Sequence, residues 1–157
     1  MRILVISDTH KNPFVLAKII RSQPEARHVF FLGDVVSDIE NIMDDFKDKS
    51  FHIVKGNCDG FCSYQNYDIV KLENKNILFT HGDKFSVKYG TARISEFARN
   101  SGCHIALYGH THIPNISYED GIYLVNPGSA ARPRESRASY AVIDIVSGGI
   151  KPIIIYL

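Results

Sequence analysis

The sequence predicts an α/β domain in which two β-sheets pack face to face with helices covering their outer sides. Three observations lead there. The first third of the chain alternates short apolar strands with helical segments. Those strands are apolar on both faces, so each needs two covers. The last third is strand-rich and interrupted by turn residues. At 157 residues and 45% hydrophobic content the chain is of one-domain size with enough apolar surface for a sizeable core. No repeat, low-complexity tract or linker divides it, so residues 1–157 read as a single domain.

The elements follow in order. Ile3-Leu4-Val5-Ile6 reads as a buried strand, and Asn12-Pro13 supplies an N-cap and first-turn pair for a helix through about Gln23. His28 to Leu32 is the next strand. Ile39, Ile42, Met43 and Phe46 fall on one face of an amphipathic helix, and His52 to Lys55 follows as a strand. Tyr67–Leu72 and Ile77–Thr80 flank the polar stretch Glu73-Asn74-Lys75-Asn76, which suits a hairpin turn. A helix over about Thr91–Ser101 stops at Gly102. Strands then follow at Ile105–Tyr108, Ile113–Tyr118, Ile122–Val125, Tyr140–Ile145 and Ile150–Tyr156, the later ones reading as antiparallel.

Eighteen Lys and Arg against seventeen Asp and Glu leave a net charge of +1, so no broad field attracts nucleic acid or an anionic membrane. The apolar run Ile3–Ile6 is too short for a signal h-region, and no stretch approaches the about 20 apolar residues of a membrane span. Cys58, Cys62 and Cys103 are odd in number, which argues against a disulfide framework and for a reducing, cytoplasmic setting. The sequence sets no oligomeric state and is compatible with a homo-oligomer.

The informative polar residues stand just after predicted strands: Asp8 and His10, Gly33-Asp34, Gly56-Asn57, His81-Gly82-Asp83, and Gly109-His110-Thr111-His112. Loops beyond the carboxyl ends of strands form the ligand crevice of open α/β sheets, so five short segments share one structural address. Two carboxylates, four imidazoles and one amide make a mixed N/O inventory suited to Mn, Fe, Co, Ni or Zn. Seven ligands exceed what one tetrahedral site needs, whereas two ions sharing a carboxylate use them all. Asp83 or Asp38 is expected to fix an imidazole tautomer from behind.

Ordinary roles account for the other polar residues. His28, His52 and His104 open strands and read as packed residues. Cys58 and Cys62 are spaced like zinc ligands but lack a second pair. Arg132, Arg134 and Arg137 form a basic cluster that reads either as a solvated loop or as a phosphate contact, and Asn126-Pro127-Gly128-Ser129 before it reads as a tight turn.

Taken together, Asp8-x-His10, Gly33-Asp34, Gly56-Asn57, His81-Gly82 and Gly109-His110-x-His112 resemble the five motifs of the calcineurin-like metallophosphoesterase family, over the whole chain. The short length and Asn126-Pro127-Gly128-Ser129 resemble its small prokaryotic phosphodiesterase branch, which also includes a metal-poor retromer subunit of eukaryotes. The resemblance implies a four-layer α-β-β-α sandwich of two mixed sheets. It also implies that Asp8, His10 and His112 hold one divalent ion, that Asn57, His81 and His110 hold a second, and that Asp34 bridges them. The expected activity is phosphodiester hydrolysis by a metal-bridging hydroxide, on a small phosphodiester contacted by Asn57, Arg132 and Arg134. A phosphomonoesterase or protein phosphatase and a retromer-subunit-like scaffold are the alternatives. Much of the family has a histidine after the asparagine of the third motif, where this chain has Cys58. A thiol of reference pKa about 8.5 presents no imidazolium at neutral pH, so cleavage of esters with poor leaving groups is expected to be slow.

Overall fold

The computed structural model describes residues 1–157. Ten strands and three helices follow one another as β1 (Arg2–Ile6), α1 (Pro13–Ser22), β2 (His28–Phe31), α2 (Ser37–Glu40), β3 (Ser50–Ile53), β4 (Tyr67–Leu72), β5 (Lys75–Thr80), α3 (Ala92–Asn100), β6 (Ile105–Leu107), β7 (Asn115–Glu119), β8 (Ile122–Asn126), β9 (Ser139–Val146) and β10 (Gly149–Tyr156). They form two five-stranded sheets, ordered β10-β9-β1-β2-β3 and β4-β5-β6-β8-β7. Both are mixed: β1, β2 and β3 run parallel while β9 and β10 join antiparallel, and β5, β6 and β8 run parallel between antiparallel β4 and β7.

Alternation along the strands explains the layers. Ile3, Val5, Phe30, Ile77, Phe79, Ile105, Leu107, Ala141 and Ile143 point between the sheets and form a central apolar cluster. Their neighbours Leu4, Ile6, Val29, Phe31 and Val142 turn outward against Leu16, Ile19 and Ile20 of α1 and Ile39 of α2. Leu78, Ala106 and Leu124 turn outward from the other sheet against Ile94 and Ala98 of α3. Strands that are apolar on every residue thus bury both faces, giving the order helix, sheet, sheet, helix.

Local signals set the helix ends. Asn12 accepts a hydrogen bond from the Val15 N–H at 3.1 Å, and Pro13 opens α1. Gly102 takes φ +66°, and the Gly102 and Cys103 N–H groups reach back to the Arg99 and Ala98 carbonyls, closing α3 with a Schellman motif.

Two expectations change. The segment Ile39–Phe46 is not one amphipathic helix but the short α2 followed by a 3₁₀ turn over Met43–Asp45, with Ile42 at φ −124° between them. Two turns bury Ile39 and Phe46 as well as one helix would, and so short a helix has little propagation energy of its own to resist a break. The late strands are not one antiparallel group either. The β7–β8 and β9–β10 hairpins belong to different sheets, and β8 lies parallel to β6. Two-residue periodicity shows that a strand is half-buried but not which sheet receives it.

Candidate metal centre

The loops that leave β1, β2, β3, β5 and β6 converge at one end of the two sheets, and all seven predicted donors meet there. On one side Asp8, His10, Asp34 and His112 bring donor atoms within 4.8 Å of one another. His112 Nε2 lies 3.1 Å from Asp8 Oδ1, and His10 Nε2 lies 3.2 Å from His112 Nε2 and 4.0 Å from Asp34 Oδ2. On the other side His81 Nε2 lies 3.0 Å from His110 Nδ1, 3.2 Å from Asn57 Oδ1 and 3.5 Å from Asp34 Oδ1. Asp34 therefore turns one carboxylate oxygen toward each histidine group.

The donor set fits cations. His81 Nδ1 donates to the Leu32 carbonyl at 2.8 Å, and His112 Nδ1 to the Arg132 carbonyl at 2.6 Å, so the Nε2 of each ring, when neutral, presents a lone pair to the centre. Those lone pairs face Asn57 Oδ1 and Asp8 Oδ1, which are acceptors too. Asp8 Oδ1 is buried without a hydrogen-bond donor, a costly arrangement that a cation relieves. Burial works to raise the Asp8 carboxyl, but His112, His81 and Ser7 outweigh it and hold it below its usual value. His112 is correspondingly raised, first by the Asp8 carboxylate beside it, while burial lowers His10 and His110.

Five of the seven residues take backbone conformations that side chains avoid: Asp8 (φ 57°), His10 (45°), Asp34 (59°), His110 (67°) and His112 (62°). The adjoining Lys11 (69°) and the β-branched Val35 (81°) share the strain. Such a concentration of strain at one place is the mark of a functional site held by its surroundings. The neighbouring glycines act mainly by making room. A Cβ on Gly56 would strike Asp34 Oδ1, and one on Gly109 would strike Ser7 Oγ.

What holds the strained loops was not foreseen. Asp59 accepts hydrogen bonds from the N–H groups of Asp34 (2.9 Å), Val35 (2.8 Å), Val36 (2.7 Å) and Gly56 (2.8 Å), fastening the loop after β2 to the loop after β3. Its only sequence signal was its place directly after Cys58. Asp38 contacts no imidazole; it accepts from Thr9 Oγ1 at 2.6 Å and the Asn12 N–H at 3.0 Å and so fixes the loop after β1. Asp83 does not take this role either; its Oδ1 is buried without a donor. Backbone carbonyls take the tautomer-fixing role expected of these acids. Asn126–Ser129 is more than a turn. Buried Asn126 donates to the Gly109 carbonyl and Thr111 Oγ1, and buried Ser129 donates to the Asp8 carbonyl at 2.7 Å.

A cavity of about 380 Å³ opens over the centre, lined by His10, Asp34, Asn57, Cys58, His110 and His112 and also by Lys88, Arg132 and Arg134. Sequence reading had missed Lys88. Arg137 does not line it; its guanidinium donates to the Leu157 carbonyl at 2.6 Å. Cys58 lies exposed at the edge, its thiol pushed up to about 11 by burial of the sulfur and by Asp34. Cys58 and Cys62 are both free thiols. His28 and His52 lie apart from the centre, stacked on one another. His104 accepts from the Asn76 N–H at 3.1 Å.

Fold and donor set together define an α/β protein with a candidate divalent-metal centre at its strand ends. The chain belongs to the calcineurin-like phosphoesterase superfamily, whose domain matches residues 1–148, and so to the metal-binding hydrolases. It is 29% identical over 147 residues to the probable metallophosphoesterase YsnB of Bacillus subtilis, covering 92% of this chain and 85% of YsnB. It is 31% identical over 100 residues to the phosphodiesterase YfcE of Escherichia coli, covering 58% of this chain and 50% of YfcE. A predicted phosphoesterase from Streptococcus pneumoniae shares the fold at TM-score 0.79 and 25% identity, over 98% of this chain and 97% of that one. Zinc-bound Vps29 of Entamoeba histolytica shares the fold at TM-score 0.75 and 21% identity, over 99% and 98% of the two chains. No helix is long and apolar enough to cross a membrane.

Proposed function

We propose that the chain acts as one unit to hydrolyse small phosphodiesters with two divalent transition-metal ions, Mn, Ni, Co or Fe, with Zn also suited. One observation carries this reading: Asp34 aims Oδ1 at His81 and Oδ2 at His10, within two histidine groups that each include a further oxygen donor. Asp8, His10 and His112 would hold one ion, Asn57, His81 and His110 the other, and Asp34 would bridge them. When bound, such a pair supplies a water acidic enough to attack phosphorus at neutral pH and positive charge for the phosphoryl oxygens. The chain's own residues do the rest. The Leu32 and Arg132 carbonyls hold His81 and His112 in their ligand tautomers. Asp59 keeps the Asp34 loop in its strained form. Asn57 faces the reacting phosphate, and Arg132 and Arg134 contact the substrate from the cavity wall.

Cys58 favours esters with good leaving groups: a thiol presents no imidazolium to protonate the departing oxygen, so activated diesters such as aryl esters are cleaved fastest. The names of YfcE and YsnB support a phosphoesterase of this kind.

The test strips the purified protein of metal, adds back Mn, Ni, Co, Fe, Zn or Mg, and measures bound metal alongside cleavage of bis(p-nitrophenyl) phosphate and p-nitrophenyl phosphate. Two ions per chain and faster cleavage of the diester are expected. Faster cleavage of the monoester would favour a phosphatase, and neither metal nor turnover would leave a scaffold.

A further inference from the structure

Lys88, Arg132 and Arg134 border the same cavity as the metal-site donors but reach it from separate parts of the chain. Lys88 stands on the 3₁₀ turn Val87–Tyr89 after β5, close enough to lower the His110 pKa. Arg132 and Arg134 stand on the segment before β9, close enough to act on His10 and His112. None of the three forms an ion pair, whereas Arg2 pairs with Asp144 and Arg99 with Asp120. Apart from Cys58 and Pro133, every residue lining the cavity is polar or charged. Unpaired cations from two segments around one polar cavity make a local anion-attracting field on a chain of nearly zero net charge.

Charge balance says what that field is for. Two divalent ions exceed the charge of Asp8 and Asp34 by two, which a singly charged diester and its nucleophile together offset. The three lining cations are in excess of what the reacting phosphate needs. Resting on the diesterase reading, we infer that Lys88, Arg132 and Arg134 hold a second phosphate group, so that the preferred substrates are phosphodiesters carrying a further phosphate. The cavity has the volume of a small-molecule site and exceeds the space one phosphate fills. Lys88 is the specificity-determining residue that the sequence hides, because its 3₁₀ turn after β5 stands far along the chain from the two arginines.

Matched esters test this separately from the diesterase reading. The p-nitrophenyl ester of thymidine 5′-phosphate and the same ester bearing a 3′-phosphate differ by one phosphate group. With Mn restored, the 3′-phosphorylated ester is expected to show a kcat/KM about tenfold higher, carried by KM and shrinking as salt rises. Lys88→Gln is expected to lower that ratio several-fold. Calorimetry on the metal-loaded protein is expected to find thymidine 3′,5′-bisphosphate bound about tenfold more tightly than thymidine 5′-phosphate, with the difference reduced in Lys88→Gln. Equal kcat/KM values and equal affinities would overturn the second-phosphate subsite while leaving the diesterase standing. Cleavage of neither ester would overturn the diesterase reading and this inference with it.

Discussion

His10, His81, His110 and His112 stand at the carboxyl ends of the strands, facing Asp8, Asp34 and Asn57, on loops with left-handed backbone. His28 and His52 stand in β2 and β3 on the same protein, their rings 5.3 Å apart, with His52 stacked 4.5 Å from Phe30 and edge-on to Phe79. Their backbone is ordinary, and no carboxylate lies within ion-pair distance. Burial pushes His52 down to about 4, with His28 adding to the effect, and burial lowers His28 too. The same side chain faces oxygen donors in one place and packs, half-buried, against other rings in the other. The difference lies in what faces each ring nitrogen and in whether the backbone is strained to aim it.

Removing metal probes that contrast hardest. Chelation is expected to abolish phosphodiester cleavage and Asp34→Ala to reduce it at least about a hundredfold, whereas His28→Ala leaves metal content unchanged by elemental analysis. If His28→Ala lowered metal content, the two groups would not be distinct. Asp59→Ala comes next. It strands four N–H groups that now share one carboxylate and is expected to cost about 3 kcal/mol in urea unfolding of the metal-free protein.

Cys58→His adds a fifth imidazole to the first group. It is expected to speed cleavage of alkyl diesters about tenfold or more while aryl diesters change little, read from a leaving-group series. An acid titration examines the second group. Between pH about 6.5 and about 4 the folded protein binds fewer protons at His52 than the unfolded chain does. The stability contribution is complete above that window and is lost as pH falls through it. His52→Phe is expected to flatten the stability curve there by up to about 1.4 kcal/mol per pH unit. Smallest is Val35→Gly, which relieves the φ 81° strain beside Asp34 and is expected to change stability by about 1 kcal/mol or less, toward a more stable metal-free protein.

Much of this was legible in the chain. Strand ends could be read from apolar runs and turn residues, and five polar motifs at those ends could be read as one crevice. The helical face of Ile39–Phe46 misled, because periodicity reports burial and not continuity. The partners of the candidate ligands were hidden for a different reason. The Leu32 and Arg132 carbonyls that orient His81 and His112 carry no residue signature, and Asp59 works through backbone N–H groups about 25 positions away.

By itself the sequence determined the inventory: two carboxylates, four imidazoles and an amide, each just past a strand, and a cysteine where the family often has a histidine. Donor chemistry is a property of the residue type, so it survives without coordinates. Only the tertiary structure decided which oxygen of Asp34 faces which histidines, which loops bear the strain, and that Lys88 shares a cavity with Arg132 and Arg134. Those facts depend on how two sheets stack, and stacking is set by apolar surfaces that name no partner in the sequence.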